Sequence, residues 1–300
     1  MPFSNPSIVA KGQLGWDSVS PVPHAYEFLL PFGLQKKQQY VIPDGVRGTL
    51  DQQGETYTTT IYKVEGGVKF APVETLLSTI LLQAVQGGTP TGTGVMTYPV
   101  ADSDYPTYMT IDRVAKVQTY GQLWIDTATF ESEAGGFLTA DLDMFGQTLT
   151  ETAAGSFPTG LVPPYLPPFT HNNALSAITI NANPRQVEKV SCVIHNNYLK
   201  DRFFMSQTLT STAKQFRTYD VTVTVPYNTD NIDLEDLPPG TIANGVFAWG
   251  DGTKTLTFTY GYLQLAETPV KRIDRKGEIM LDCHFNARRH TTTDALSISM

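Results

Sequence analysis

Apolar and polar positions alternate at period two along most of the chain, the spacing of strands with one buried face. In "YDVTVTVPY", Val221, Val223 and Val225 face one way while Thr222 and Thr224 face the other. "TLTFTYGY" sets Leu256, Phe258, Tyr260 and Tyr262 against Thr255, Thr257 and Thr259. "EIMLDCHFNAR" sets Ile279, Leu281, Cys283, Phe285 and Ala287 against Met280, Asp282, His284, Asn286 and Arg288. Similar strands are predicted at 56–64, 108–118, 120–130, 137–148, 177–182 and 188–195, with turn signals at Gly66-Gly67, Gly135-Gly136 and 250–252. One stretch departs from this period. "VETLLSTILLQAV", residues 73–85, carries Val73, Leu76, Leu77, Ile80, Leu81, Ala84 and Val85 at helical spacing, which predicts a helix packed on the strands. Pro72 and Glu74 suit its start and Gly87-Gly88 its stop. The expected fold class is mainly β, an antiparallel sandwich or barrel, because an α/β fold needs many more helices.

The proline-dense segment "GSFPTGLVPPYLPPFTHNNA" at 155–174 can hold no central strand. It divides the chain into an expected first module at 1–155, a linker at 156–174 and a second module at 175–300. The halves share an order of parts. The first runs a strand pair in "ETYTTTIYKV", the helix, the loop "GGTPTGTG" and a long hairpin. The second runs a strand pair ending in "RTYDVTVTVPY", a weaker helical piece near "NIDLEDL", the loop "PPGTIANG" and a closing hairpin. This order suggests an internal duplication. The polar stretches 35–55 and 88–107 show no regular pattern and read as long loops, which tend to be functional or interface-forming.

Charge narrows the classes. The net charge is −8 and the longest basic run is "KRIDRK" at 271–276. A protein that grips nucleic acid needs a basic footprint, so tight binding to DNA or RNA is not expected. Passive passage of DNA along an acidic wall is compatible with the same sign, because like charge repels. No apolar run approaches the length of a bilayer span, and "MPFSNPSIVAKGQLG" lacks the apolar core of a signal peptide, which leads to the expectation of a soluble, cytoplasmically made protein. Cys192 and Cys283 are too few for a disulfide framework and read as two buried thiols.

The sequence offers no catalytic, cofactor-binding or metal-ligating residue set, and no cofactor is expected. "CVIH" at 192–195 and "CH" at 283–284 pair thiols with histidines, but residues three apart or adjacent on a strand point to opposite faces. "GGTPTGTG" lacks the GK[ST] ending of a phosphate loop and follows a helix. No HExxH, GxSxG or kinase set is present. Asp141 and Asp143 share a strand face, as paired glycosidase acids or any solvated strand do. "DNIDLED" at 230–236 has the wrong glycine and spacing for a calcium loop. Trp16, Tyr120, Trp124, Trp249, Tyr260 and Tyr262 suit core, interface or stacking roles alike.

Taken in order, several segments resemble the major tail tube proteins of long-tailed bacteriophages, in particular those with two tube modules in one chain. They are "IVAKGQLGWDSVSPVPHAYEFLLPFG", "TYTTTIYKVEGGVKF" leading into "APVETLLSTILLQAVQGG", the hairpin "RVAKVQTYGQLWIDTATFESEAGGFLTADLDMFGQ", the linker "PPYLPPF", "SAITINANPRQVEKVSCVIHNNYLKDRFF" and "QFRTYDVTVTVPY" with the closing hairpin. The resemblance covers nearly the whole chain. It implies modules built as β-sandwiches, each flanked by one helix, with strands that line up around a ring and wall a tube. It implies a structural virion protein, not an enzyme, made in the host cytoplasm and assembled into stacked rings that conduct DNA on ejection. The partners implied are further copies of the chain, as trimeric pseudo-hexameric or hexameric rings, the tape-measure protein, tail-tip or terminator proteins, and passing double-stranded DNA held without tight binding. Under it, the stripe from Val73 to Val85 packs the helix on the sandwich, and Asp141, Asp143 and Asp282 are candidates to face the lumen. Lys36, Lys37, Asp44, Arg47, Asp51, Asp102 and Asp104 are candidates for ring-stacking loops. The rival expectations are a carbohydrate-binding or host-recognition module using Trp249 or Tyr262, a sandwich hydrolase using Asp141 and Asp143, and a distal tail or terminator ring.

Overall fold

The alternating segments fold as strands whose named pairings are all antiparallel. The computed structural model describes residues 13–20, 22, 24–41, 58–101, 105–113, 116–153, 166–204, 206–209, 212–235, 242–273, 277–289 and 294–300. In chain order the first half holds β1 (Gln13–Asp17), β2 (Ala25–Glu27), β3 (Gln35–Val41), β4 (Thr58–Phe70), β5 (Thr97–Tyr98), β6 (Thr107–Asp112), β7 (Lys116–Glu133) and β8 (Thr139–Ala153). The second holds β9 (Ala177–Ile180), β10 (Asn183–Pro184), β11 (Lys189–His195), β12 (Thr218–Pro226), β13 (Ile242–Gly250), β14 (Thr255–Leu265), β15 (Val270–Ile273), β16 (Ile279–Ala287) and β17 (Ser297–Ser299).

One pairing scheme occurs twice. The first half pairs β1 with β2 and β6, β3 with β4, β4 with β8, β6 with β7, and β7 with β8. The second pairs β9 with β10 and β13, β11 with β12, β12 with β16, β13 with β14, and β14 with β16. Beside β16, β15 continues the line of β14. The registers coincide as well: Val64–Gly146, Val68–Leu142 and Phe70–Ala140 in one half match Tyr219–Ala287, Val223–Cys283 and Val225–Leu281 in the other. The halves are not separate sheets. Thr127 to Glu133 of β7 pair with His195 to Lys189 of β11, so hydrogen bonding runs unbroken from β4 through β8, β7, β11 and β12 to β16.

Local pattern and tertiary pairing part company at several points. Residues 35–41, expected in a loop, form β3; its side chains Gln35, Lys36 and Lys37 are exposed, so an edge strand here carries no apolar alternation to read. The rest of that stretch, 42–57, lies outside the described residues. Gly66-Gly67 is not a turn but the interior of β4, which continues to Phe70. A single strand over 108–118 breaks into β6 and β7, and 88–107 contains β5 with a buried Tyr98. "NIDLEDL" yields one 3-10 turn, Ile232–Leu234, and the end of "PPGTIANG" belongs to β13. In β14 Tyr260 and Leu263 pair with Gly245 and Ala243, so two residues oppose one. That bulge turns Leu263 and Leu265 inward and leaves Tyr262 only half-buried, off the face assigned from alternation. At the start of β16, Ile279 is exposed and Met280 buried, the reverse of the expected faces.

The helix, α1, spans residues 74–86 and contains a π-helical segment, Leu77–Leu81, between α-helical ends. Leu76, Leu77, Ile80, Leu81, Ala84 and Val85 of the stripe are buried, whereas Val73 is the partly buried N-cap. Leu82 and Gln86 are also buried, so α1 is enclosed on more than one stripe. Gly87 ends it in the left-handed region, φ 79°, as its sequence predicts. Asn196, from the second half, donates its amide to the Val85 carbonyl at 3.3 Å and the Ile125 carbonyl at 2.8 Å, serving an orphan acceptor of the helix end. Farther on, the buried Arg185 guanidinium forks onto Asp233 at 2.6 and 2.7 Å and pins the 3-10 turn to β9 through the Ile180 carbonyl. Arg185 also holds the Asp233 carboxyl below its usual range.

Cys192 and Cys283 are both buried and free, facing the core as expected. Burial pushes each thiol from 9.0 up to about 12. A folded thiol that resists ionisation contributes stability that is intact below the unfolded value and lost as pH rises toward the folded one. Stability is therefore expected to fall between about pH 9 and 12, and a disulfide-exchange reagent at pH 8 should label neither cysteine until denaturant is added. Prompt labelling of the native chain would contradict this burial.

Candidate functional site: the polar face of the continuous sheet

One face of the continuous sheet carries the core: Leu142, Phe130, Cys192, Val221, Val223, Cys283 and Phe285 are all buried there. Directly paired residues point the same way, so the registers define the opposite face row by row. One row runs Lys69, Asp141, Thr129, Val193, Asp220, Asn286. The next runs Thr139, Glu131, Ser191, Thr222, His284, and a third Glu133, Lys189, Thr224, Asp282, Val270. Asp143, Thr127 and His195 begin a further row. Threonines, carboxylates and two histidines thus cover a surface spanning both halves.

The groups on this face hold one another. Thr224 donates to Asp282 at 2.6 Å and Arg272 meets the other oxygen of that carboxylate at 2.7 Å. Thr222 lies 3.1 Å from His284 Nδ1, His195 Nε2 lies 3.2 Å from Asp220, and Lys189 pairs with Glu131. The connection from β11 to β12 folds back over one end of the face. Its Tyr198 and Leu209 form a small buried cluster with Trp124 and Phe145. Its Lys200 reaches Asp126 at 2.7 Å and Asp143 at 3.2 Å. Burial acts to lower the Lys200 pKa, but the two carboxylates outweigh it and hold the amine above its usual range.

Of the residues singled out from sequence, Asp141, Asp143 and Asp282 lie on this one face; Asp141 is exposed, and Asp282 is engaged by Thr224 and Arg272. Glu131, Glu133, Asp220 and the threonines of β7 belong to it too. Their alternation was readable, but nothing local ties them to strands far away in the chain. Lys36 and Lys37 stand on β3, Lys36 over the Tyr62 ring and Lys37 paired with Glu65. Asp44, Arg47, Asp51, Asp102 and Asp104 lie outside the described residues. Trp16, Tyr120, Trp124, Trp249 and Tyr260 are buried, so none offers a ring to a glycan. Cys192 and His195 point to opposite faces, as do Cys283 and His284, and the described residues hold no cluster of three metal-ligating side chains. No helix among them is long and apolar enough to cross a membrane.

A comparison with curated protein sequences finds no match. The profile of one family, described as phage tail tube protein, matches residues 10–287, through both halves of the pairing scheme and nearly the whole chain. That family is one of structural proteins, not an enzyme family, and its place is the virion tail. A mainly antiparallel β chain that matches this profile from β1 to the end of β16 belongs to the phage tail tube protein family.

Proposed function

We propose that copies of this chain assemble side by side into rings, that the rings stack into the tail tube, and that the tube conducts DNA during ejection. Each half of the chain serves as one tube module, so a ring of three copies presents six modules. The observation that supports this most directly is the polar face shared by both halves, backed by a packed core. On that face Glu65, Glu131, Glu133, Asp141, Asp143, Asp220 and Asp282 outnumber Lys63, Lys69, Lys189, Lys200 and Arg272. Turned toward a lumen, such a wall repels phosphate weakly and offers no basic track that would arrest a duplex. Closing strands around a ring also removes the sheet edges that β3 and β15 leave at the two ends.

Electron microscopy of concentrated protein tests the reading: hollow tubes with threefold or pseudo-sixfold rings are expected. A chain that stays monomeric at high concentration counts against it, and single rings that never stack would point to a terminator or distal tail ring. Reversing charge on the wall tests the lumen. Tubes of the Asp141→Lys, Asp143→Lys variant should retain short DNA duplexes at low salt and release them as salt rises, whereas wild-type tubes retain none. Equal retention by both would remove these carboxylates from the DNA path.

A further inference from the structure

The repeated scheme carries a consequence for the two sheet ends. Within one chain the seam between the halves is the pairing of β7 with β11. Counting registers from the matched core pairs, Thr129, Phe130 and Glu131 of β7 correspond to Val270, Lys271 and Arg272 of β15, since they stand opposite Asp141, Ala140, Thr139 and opposite Asp282, Leu281, Met280 respectively. Across the other strand, Gln35 and Lys36 of β3 correspond to Val193 and Ile194 of β11, opposite Glu65, Val64 and opposite Asp220, Tyr219. The inner seam therefore has a counterpart whose two sides sit at opposite ends of one molecule. Among the described residues no strand pairs with the second edge of either β3 or β15.

We infer that β15 of one copy pairs antiparallel with β3 of a second copy, with Val270 opposite Gln35, as Thr129 is opposite Val193 within the chain. The same register places Ile273 opposite Phe32 and Arg272 opposite Gly33. This deepens the ring reading above, and rests on it, by naming the partner strand and the register. The surfaces agree. Ile273 is 74% and Val270 52% exposed, large apolar side chains on an open edge, and Phe32 is only partly buried beside the other. Both edges carry cations, yet Lys37 is neutralised by Glu65, Lys271 by Glu235 at 2.6 Å and Arg272 by Asp282, so like charge does not bar the approach. The Leu34 carbonyl accepts from Tyr120 at 3.0 Å and keeps a second lone pair for a partner strand.

Cysteine cross-linking of the full chain tests the register. Gly33 donates its amide to Gly67 of β4 at 2.9 Å, so Gly33 and Gln35 face inward with their backbone groups and Gln35–Val270 is a non-hydrogen-bonded pair across the seam, close enough for a disulfide. Rings or tubes of the Gln35→Cys, Val270→Cys variant, oxidised after assembly, should run as covalent multimers that close at ring size on a denaturing gel. The Lys37→Cys, Arg272→Cys pair, four residues out of register, should give monomer. Separately, Ile273→Glu should leave the melting temperature of the monomer unchanged and abolish assembly. Rings that form without the in-register cross-link, or that form from Ile273→Glu, overturn the seam and leave the tube reading standing. A wild-type chain that forms no rings fails the tube reading itself, and the seam falls with it.

Discussion

Gly66→Ala is expected to abolish soluble, folded protein, or at least to cost more than about 4 kcal/mol, because among the described glycines it combines a positive φ with the shortest Cβ contact. Gly66 holds φ +148° in the middle of β4, a conformation in which a side chain alone costs on the order of 1–3 kcal/mol. A Cβ there would also sit 2.1 Å from the Gly33 carbonyl oxygen and 2.6 Å from its carbon. These are backbone atoms, fixed by the bond from the Gly33 amide to the Gly67 carbonyl, and cannot swing aside. The segment that leads into β3 runs tight against β4 at this point, and only a hydrogen fits between them. At roughly 2 °C per kcal/mol for a chain of this size, the melting temperature should fall by about 8 °C or more. Gly94→Ala is the control: its φ of +87° is also unfavourable for alanine, but a Cβ there meets nothing within 4 Å. It should cost about 1 kcal/mol, from the backbone alone. Equal melting shifts for the two variants would show that the contact with Gly33 is looser than these distances require.

Trp249→Ala should cost about 3–5 kcal/mol, the usual range for emptying a site built around a buried indole. Trp249 is 0% exposed, stands edge-on to Phe258 with ring centres 5.3 Å apart, and donates Nε1–H to Ser132 Oγ at 2.8 Å. The chain of bonds continues from the Ser132 hydroxyl to His171 Nδ1 at 2.9 Å, and from His171 Nε2 to the Val187 carbonyl at 2.8 Å. These partners fix the histidine as its Nε2–H tautomer, with Nδ1 accepting. The network ties β13, β7, the end of the proline-rich segment and the approach to β11 together where the two halves meet. Trp249→Phe keeps most of the ring and loses the donor, so about 1–3 kcal/mol is expected. Ser132→Ala should cost a similar amount, and the double variant less than the sum, because each single change strands the other's partner. Additive losses in denaturant unfolding would show that the hydrogen bond contributes nothing beyond packing.

The Trp249 result also separates two readings of the same residue. Aromatic residues were the sequence feature that a glycan-binding function would use, and composition alone gave no way to choose. Burial chooses: a variant of Trp249 perturbs folding, and any binding defect it caused would be secondary to that.

Much of the fold was legible in the chain itself. Period-two alternation located β7, β8, β11, β12, β14 and β16 and the buried faces of Val221, Val223, Leu281 and Cys283, because half-burial leaves its mark on each strand separately. Helical spacing found α1, and Gly87 its end. The same parity argument placed Cys192 and His195 on opposite faces. What it could not supply was anything set by a distant partner. β3 is polar on its exposed side chains and is a strand only because β4 lies beside it; Gly66-Gly67 has the composition of a turn and is a strand because it pairs with Met144 and Asp143 of β8. Tyr262 left its expected face because a bulge opposite Asn244 shifted the count by one, and one residue is enough to exchange the faces of a strand. The polar face is the fullest case. Asp141 and Asp282 are 141 residues apart in numbering and share a surface through four hydrogen-bonded ladders, from β8 to β16, that no local pattern encodes. The chain by itself determined that strands dominate and which face is buried wherever alternation runs unbroken; the tertiary structure decided where bulges exchange the faces and which strands adjoin, because sheet pairing is made between segments far apart in sequence whose own alternation is the same whoever their neighbour is.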